Sequence, residues 1–182
     1  MKCLWMSASV LAVLLVLSCR DQSAANANAA PAVPPAQSRT NAAGYLMHAQ
    51  PRLKTIKAWL GAEELKTELA VTQVEVMTGM MWRTNMPENE AMLFVFATPD
   101  RRGFYMRNCT VALSAAYIDS EGVIREVVDL HPGVEEPVTS RSDQIKYVLE
   151  VPQGWFKRHN IRTGTVLNTE AGPLSDLRGV LR

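Results

Sequence analysis

The run Met92-Leu93-Phe94-Val95-Phe96 is apolar at every position. A strand sends successive side chains to opposite faces, so an unbroken apolar run marks a central strand rather than a half-solvated edge. The flanking segments read as its neighbours. Upstream, Leu53–Leu60 alternates, with Ile56, Ala58 and Leu60 on one face and Lys54 and Lys57 around it. Gly61-Ala62 then turns the chain into Glu63–Ala70, a hairpin partner. Between that hairpin and the central strand, Thr72-Gln73-Val74-Glu75 has the spacing of a capping box. Val74, Met77 and Met81 follow at helical spacing, which predicts a short helix laid on the core and weakened at Gly79.

Downstream, Phe104–Arg107 and Leu113–Asp119 read as strands, and Ser120-Glu121-Gly122 as a tight turn into Val123–Leu130. His131-Pro132-Gly133 stops that strand, and His131 to Asp143 reads as a polar loop. Ile145, Tyr147, Leu149 and Val151 then share one face, with Lys146 and Glu150 opposite, the pattern of a half-exposed strand. Pro152-Gln153-Gly154-Trp155-Phe156 opens a helical turn ending near Asn160, and a last strand runs through Thr165–Thr169. The expected fold is α+β, mainly β: a small single-domain barrel or sandwich of seven to eight short strands with two short helices.

Composition bounds the function. The chain has 182 residues, 47% of them apolar, enough for one packed domain. With 19 Lys+Arg against 18 Asp+Glu there is no global basic field, which argues against nucleic acid as a partner.

The N-terminus gives an address. Lys2, an apolar run from Val10 to Leu17 and the small Ser18 before Cys19 form an export signal over residues 1–18. The apolar run is about half of the ~20 residues a membrane-spanning helix needs. A Cys directly after Ser18 resembles the lipobox of bacterial lipoproteins, in which Cys19 would carry the acyl chains. At ~0.8 kcal/mol per buried methylene, two or three chains hold a soluble domain on a bilayer. Arg20 rather than Asp after the Cys favours the outer membrane under the enterobacterial sorting rule. The alternative is an ordinary signal cut within Ala24–Ala29, leaving a soluble periplasmic or secreted protein. Residues 19–50, rich in Ala, Asn and Pro, read as a disordered linker, with Tyr45, Leu46 and Met47 its bulky apolar residues. The globular domain is expected over 51–182. Once Cys3 leaves with the leader and Cys19 is acylated, Cys109 is the remaining cysteine and no intrachain disulfide is possible.

Several blocks together resemble a known family: Gly79-Met80-Met81-Trp82-Arg83, Met92–Phe96, Phe104-Tyr105-Met106-Arg107-Asn108, Leu113–Asp119 with Gly122, and Tyr147-Val148-Leu149-Glu150 with Gly154-Trp155. In order and spacing they are similar to the domain-of-unknown-function 192 family over Leu53 to Asn168. The resemblance implies a small mixed β protein, often exported, without an established biochemical activity. The family usually has Asn-Thr and then Pro-Leu-Asp, whereas this chain has Ala112 for the proline and Ser114 for the carboxylate.

Candidate chemistry is sparse. Arg83, Arg107 and Asn108 are polar residues inside apolar blocks. Two guanidiniums and an amide could grip an anionic ligand, or they could cap loops and pair with Asp119 and Glu150. Cys109 with His48, His131 or His159 suggests a nucleophile and base, but no spacing supports it, and a lone Cys beside an apolar strand reads as core. Seven methionines follow residue 18 (Met47, Met77, Met80, Met81, Met86, Met92 and Met106). With Cys109 and His131 they offer soft copper(I) ligands, yet core packing is the plainer reading. No metal or other cofactor is expected. Trp82, Trp155, Phe104 and Tyr105 either line a sugar or peptide platform or fill the fold.

The reading that results is a lipid-anchored envelope protein, a non-catalytic module for a small-molecule or protein ligand. The alternatives are an envelope hydrolase with an acid–base pair drawn from Asp119, Asp129, His131 and Glu150, and a soluble secreted scaffold.

Overall fold

In the computed structural model, residues 40–179 are described. The expected export signal, Cys19 and most of the expected linker lie outside them. Ten strands and two short helices are present among these residues: β1 (Thr55–Leu60), β2 (Glu63–Ala70), α1 (Gln73–Thr78), β3 (Glu90–Asp100), β4 (Gly103–Phe104), β5 (Leu113–Ile118), β6 (Ile124–Leu130), β7 (Val138–Thr139), β8 (Ile145–Pro152), α2 (Trp155–Arg158), β9 (Leu167–Thr169) and β10 (Gly172–Pro173). A 3₁₀ turn over Leu174–Gly179 ends the described chain. Eight strands form one sheet in the order β10-β9-β1-β2-β3-β8-β5-β6, and β4 and β7 pair separately. The α+β, mainly β class stands. The sheet does not close into a barrel; the arrangement is sandwich-like, with cover packed on both faces.

The hairpin forms where alternation placed it. Leu60 pairs with Glu63 across Gly61-Ala62, and Ile56, Ala58 and Leu60 are buried. β3 is central, parallel to β2 and antiparallel to β8. β5 lies on the far side of β8, and all six of its residues are buried.

Strand alternation divides the interior in two. Leu65, Leu93, Ala116, Ile118, Leu149 and Val151 pack with Trp155, Phe156, Leu174 and Leu177 on one face of the sheet. Met92, Phe94, Ala115, Tyr117 and Val148 pack on the other with Met80, Met81, Met106 and Cys109. The second cover is made by α1 and by the largely irregular residues 79–89 and 101–112 on either side of β3.

This second cover accounts for the differences from the sequence reading. The capping box at Thr72 and Glu75 is present, but α1 ends at Thr78, where Gly79 adopts φ 46°. Val74 is consequently exposed (36%), and Met81 reaches the core from the turn after the helix. The strand expected over Phe104–Arg107 shortens to Gly103–Phe104, because its partner Val138–Thr139 is itself two residues long. That partner interrupts the expected loop over His131–Asp143. β8 is not half-exposed: Val148 and Glu150 are as buried as Tyr147 and Leu149. Of the stretch read as linker, residues 40–50 fold onto the domain. Leu46 N–H donates to Thr78 Oγ1 at 3.1 Å, Gln50 donates to the Gly79 carbonyl at 2.9 Å, and the Tyr45 ring meets Trp82.

Candidate functional site

The polar residues singled out in the sequence are held by protein partners. Arg83 forks onto Glu68, Nη1 to Oε1 at 2.6 Å and Nη2 to Oε2 at 2.9 Å, and both side chains are buried (10% and 6% exposed). Arg52 also reaches Glu68 Oε1 at 2.7 Å, and the Leu53 N–H donates to Oε2. Burial pushes the Glu68 carboxyl up, and these donors more than offset it, leaving it below the ordinary carboxylate range. Arg107 lies at the surface, pairing with Glu135 at 2.8 Å and lying over the Tyr105 ring. Asn108 adopts φ 56°, a conformation Asn tolerates better than most residues. Its carbonyl accepts from Trp82 N–H, and Thr110 Oγ1 donates to the Arg83 carbonyl. These bonds pin the 82–83 segment to 108–110 and do not turn the three side chains onto a common point.

The acid–base candidates also separate. Asp119 is bound by Arg125 and by the N–H groups of Glu121 and Val123. Asp129 pairs across the sheet with Ser114 and accepts from its hydroxyl. Ser114 Oγ in turn accepts from Gly154 N–H, so in this chain it joins β6 to the start of α2. Glu150 pairs with Ala115, one residue on, and alternation therefore places it on the opposite face from Asp129. His131 is exposed and contacts Gln153. His159 stacks on Trp155 and meets Glu63 and Glu88, while His48 is exposed.

Glu150 is different from all of these. It projects from the middle of β8 between Met92 of β3 and Ala115 of β5, into the methionine-rich side of the core. The residue is 4% exposed, and its Oε2 has no hydrogen-bond partner among the described residues. Burial alone pushes the carboxyl up to about 8. An unpaired buried carboxylate is costly, so the group keeps its proton at neutral pH unless a cation or donor reaches it.

The space beside it is not filled. A cavity of about 230 Å³ is lined by Glu150 and Cys109, by Met77, Met80 and Met81, by Phe94, Phe96, Phe104 and Tyr105, and by Arg101 and Arg102. Its walls come from the α1 end, β3, β4 and the 105–109 turn. Arg83, Arg107 and Asn108 do not line it, and neither does any histidine. Burial and the neighbouring Glu150 push the Cys109 thiol up to about 12, which makes it a poor nucleophile. Burial, with Glu126 and Glu150, also raises the Tyr117 phenol, whose OH donates to the Val138 carbonyl. A second concavity of about 310 Å³ is lined by apolar residues such as Val71, Val95, Leu174 and Leu177, with Lys146 and Tyr147 as its titratable side chains.

Among the described residues, no group of three or more His, Cys, Asp or Glu is placed to hold a metal ion. None of their helices is long and apolar enough to cross a membrane.

From the sequence, Glu150 is a candidate partner for Arg83 and Arg107 or one member of a dispersed acid–base set, on the exposed face of β8; in the structure those arginines pair instead with Glu68 and Glu135. The signal that could have located it is the apolar run in β3. Met92 and Phe94 occupy the same face as Glu150, so that face had to be covered.

Two solved structures are similar to this chain. A protein from Sinorhizobium meliloti 1021, provisionally described as a transcription regulator, is 28% identical with a TM-score of 0.63, covering 66% of this chain and 98% of its own. A protein of unknown function from Novosphingobium aromaticivorans DSM 12444 is 26% identical with a TM-score of 0.61, covering 64% of this chain and 86% of its own. No curated protein matches. The family model of DUF192, an uncharacterized ACR family, matches residues 56–169, from the first residues of β1 to the end of β9. The chain therefore belongs to the DUF192 family.

Proposed function

We propose that this domain is a non-catalytic binding module whose site is the cavity beside Glu150, carried on a lipid anchor at Cys19 in the cell envelope. The observation that supports it is the Glu150 carboxyl, buried and unpartnered at the edge of unfilled space. Folding spends free energy on such a group without return, since leaving a buried acceptor unmade costs about 1–3 kcal/mol. A ligand donor in the cavity supplies the missing interaction. The walls of thioether and aromatic side chains suit an apolar ligand body, and Met side chains adapt to irregular shapes.

A non-catalytic role fits the chemistry around the cavity. The thiol there is held protonated, and among the described residues no histidine or second carboxylate lines the cavity with Glu150. The leader, the Ser18-Cys19 junction and the linker composition support the envelope address.

The test is a small-molecule screen by thermal shift on the purified full chain, because a ligand that binds only the native state raises its apparent stability. Hits whose shift disappears in Glu150→Gln support the reading. Hits that are indifferent to that substitution contradict it.

A further inference from the structure

We propose that the cavity takes a bipolar molecule, with an ammonium group against Glu150, an apolar body along the Met and Phe walls, and an anionic group at Arg101. The inference rests on the cavity being the ligand site and adds the chemical class of the ligand.

The charges are arranged in depth. Glu150 is the buried acid of the lining, whereas Arg101 is exposed, and Arg102 lies between these extremes. Arg102 is already engaged: it lies 4.0 Å over the Phe96 ring and donates to the carbonyls of Ile145 and Thr98. The Arg101 side chain has no hydrogen bond or ion pair to a described residue. It is therefore the cation at the cavity edge that is free to take an anion.

Electrostatics then discriminates among ligands. A simple carboxylate can satisfy Arg101, but its apolar tail leaves the buried acid unmet. A simple amine can satisfy Glu150, yet it shares the lining with two guanidiniums and leaves Arg101 unpaired. A molecule with both charges meets both residues, and charge-assisted hydrogen bonds are roughly twice as strong as neutral ones. The walls favour the same polarity, because aromatic faces attract cations. Phe94 and Phe104, both in the lining with Glu150, meet edge to face at 4.9 Å.

Binding also moves a proton. The groups facing Glu150 are the Cys109 thiol and the Tyr117 phenol, both held protonated by burial, with Met92 and Ala115 on the adjoining strands. An arriving ammonium ionises Glu150, and the carboxyl proton leaves to solvent. Near neutral pH this releases about one proton per ligand bound.

The experiment uses the full chain and linear ω-amino acids of about four to eight carbons, measured by calorimetry against the alkylamine, alkanoate and 1-alkanol of each length. The expected result is at least one ω-amino acid binding about tenfold tighter than its amine and acid counterparts, with proton release read from buffers of different ionisation enthalpy. Glu150→Gln should remove that binding and the proton release, and Arg101→Gln should reduce the ω-amino acid to the level of the amine. Equal binding of alkanoate and ω-amino acid, or no effect of Arg101→Gln, overturns the proposal. So does binding by 1-alkanols alone, but when Glu150→Gln weakens that binding the cavity remains a ligand site. If no probe binds and the thermal-shift screen gives no Glu150-dependent hit, both readings fall.

Discussion

Met92 on β3 and Glu150 on β8 are direct cross-strand partners, so a carboxyl group sits in the same buried row as a thioether. Paired sheet neighbours have Cβ atoms about 4.5–5.5 Å apart. A fully buried Met92 thus denies water to that side of Glu150, and Ala115 on β5 closes the other. The sheet neighbours and the cover over this face together account for the raised proton affinity, and the cavity is the direction from which a partner can come.

The first consequence is a pH dependence of stability. Glu150 titrates near 8 when folded and near 4.5 as an unperturbed carboxyl. Between those values the folded chain holds a proton that the unfolded chain has lost. Stability from this group is complete below about pH 4.5, falls as pH rises and levels off above 8. The slope is at most about 1.4 kcal/mol per pH unit. Glu150→Gln should flatten the decline between pH 5 and 8 in urea unfolding, making the variant the more stable form at pH 8. An undiminished slope in the variant would contradict the assignment.

The Arg83–Glu68 pair gives a second expectation, with the opposite sign. Its carboxyl is held below the ordinary range, so its contribution is present above about pH 4.5 and is lost in acid. Arg83→Ala leaves Glu68 buried with Arg52 and one N–H as donors, at a cost of about 3 kcal/mol. Arg83→Met with Glu68→Leu removes both charges and should recover most of that loss. Urea unfolding at pH 7 measures both variants; equal destabilisation of the single and double variants would contradict the pairing argument.

How far this was legible in the sequence differs between the two faces of the sheet. The first face follows from alternation, because Ile56, Ala58, Leu60, Leu149 and Val151 lie on regular strands. The second face is covered by α1 and by residues 79–89 and 101–112, whose turns at Gly79, Trp82 and Asn108 leave no period to read. Without that cover, Lys146 and Glu150 look equivalent. In the structure Lys146 is half-buried at the sheet margin, and Glu150 lies inside. The Arg83 block stands out in the sequence but not as a buried ion pair, since no spacing rule joins Arg83 to a carboxylate 15 residues upstream on another element.

Cys109 should be chemically silent in the native chain. A thiol at about 12 is some 10³-fold less ionised at pH 8 than a free one at about 8.5. Iodoacetamide labelling of Cys109, followed by peptide mass spectrometry, should be slow until the chain is unfolded. Labelling of the folded chain at the rate of a free thiol would contradict the burial described for this side of the core.

The proposed anchor has its own test. Cys19→Ser should yield a chain without acyl groups that leaves the membrane fraction on expression in a bacterial host with lipoprotein processing. Retention equal to that of the native sequence would count against the tether and leave the cavity argument untouched.

The most direct measurement of the central claim is a carbon-13 NMR titration of the Glu150 side-chain carboxyl, assigned by comparison with Glu150→Gln. An uncompensated acid beside the cavity should give a midpoint near pH 8 in the free chain, moving downward when the site is filled by an ammonium ligand. A midpoint near the ordinary 4.5 would mean that solvent or a protein partner already satisfies the carboxylate, and the cavity would lose its reason to bind.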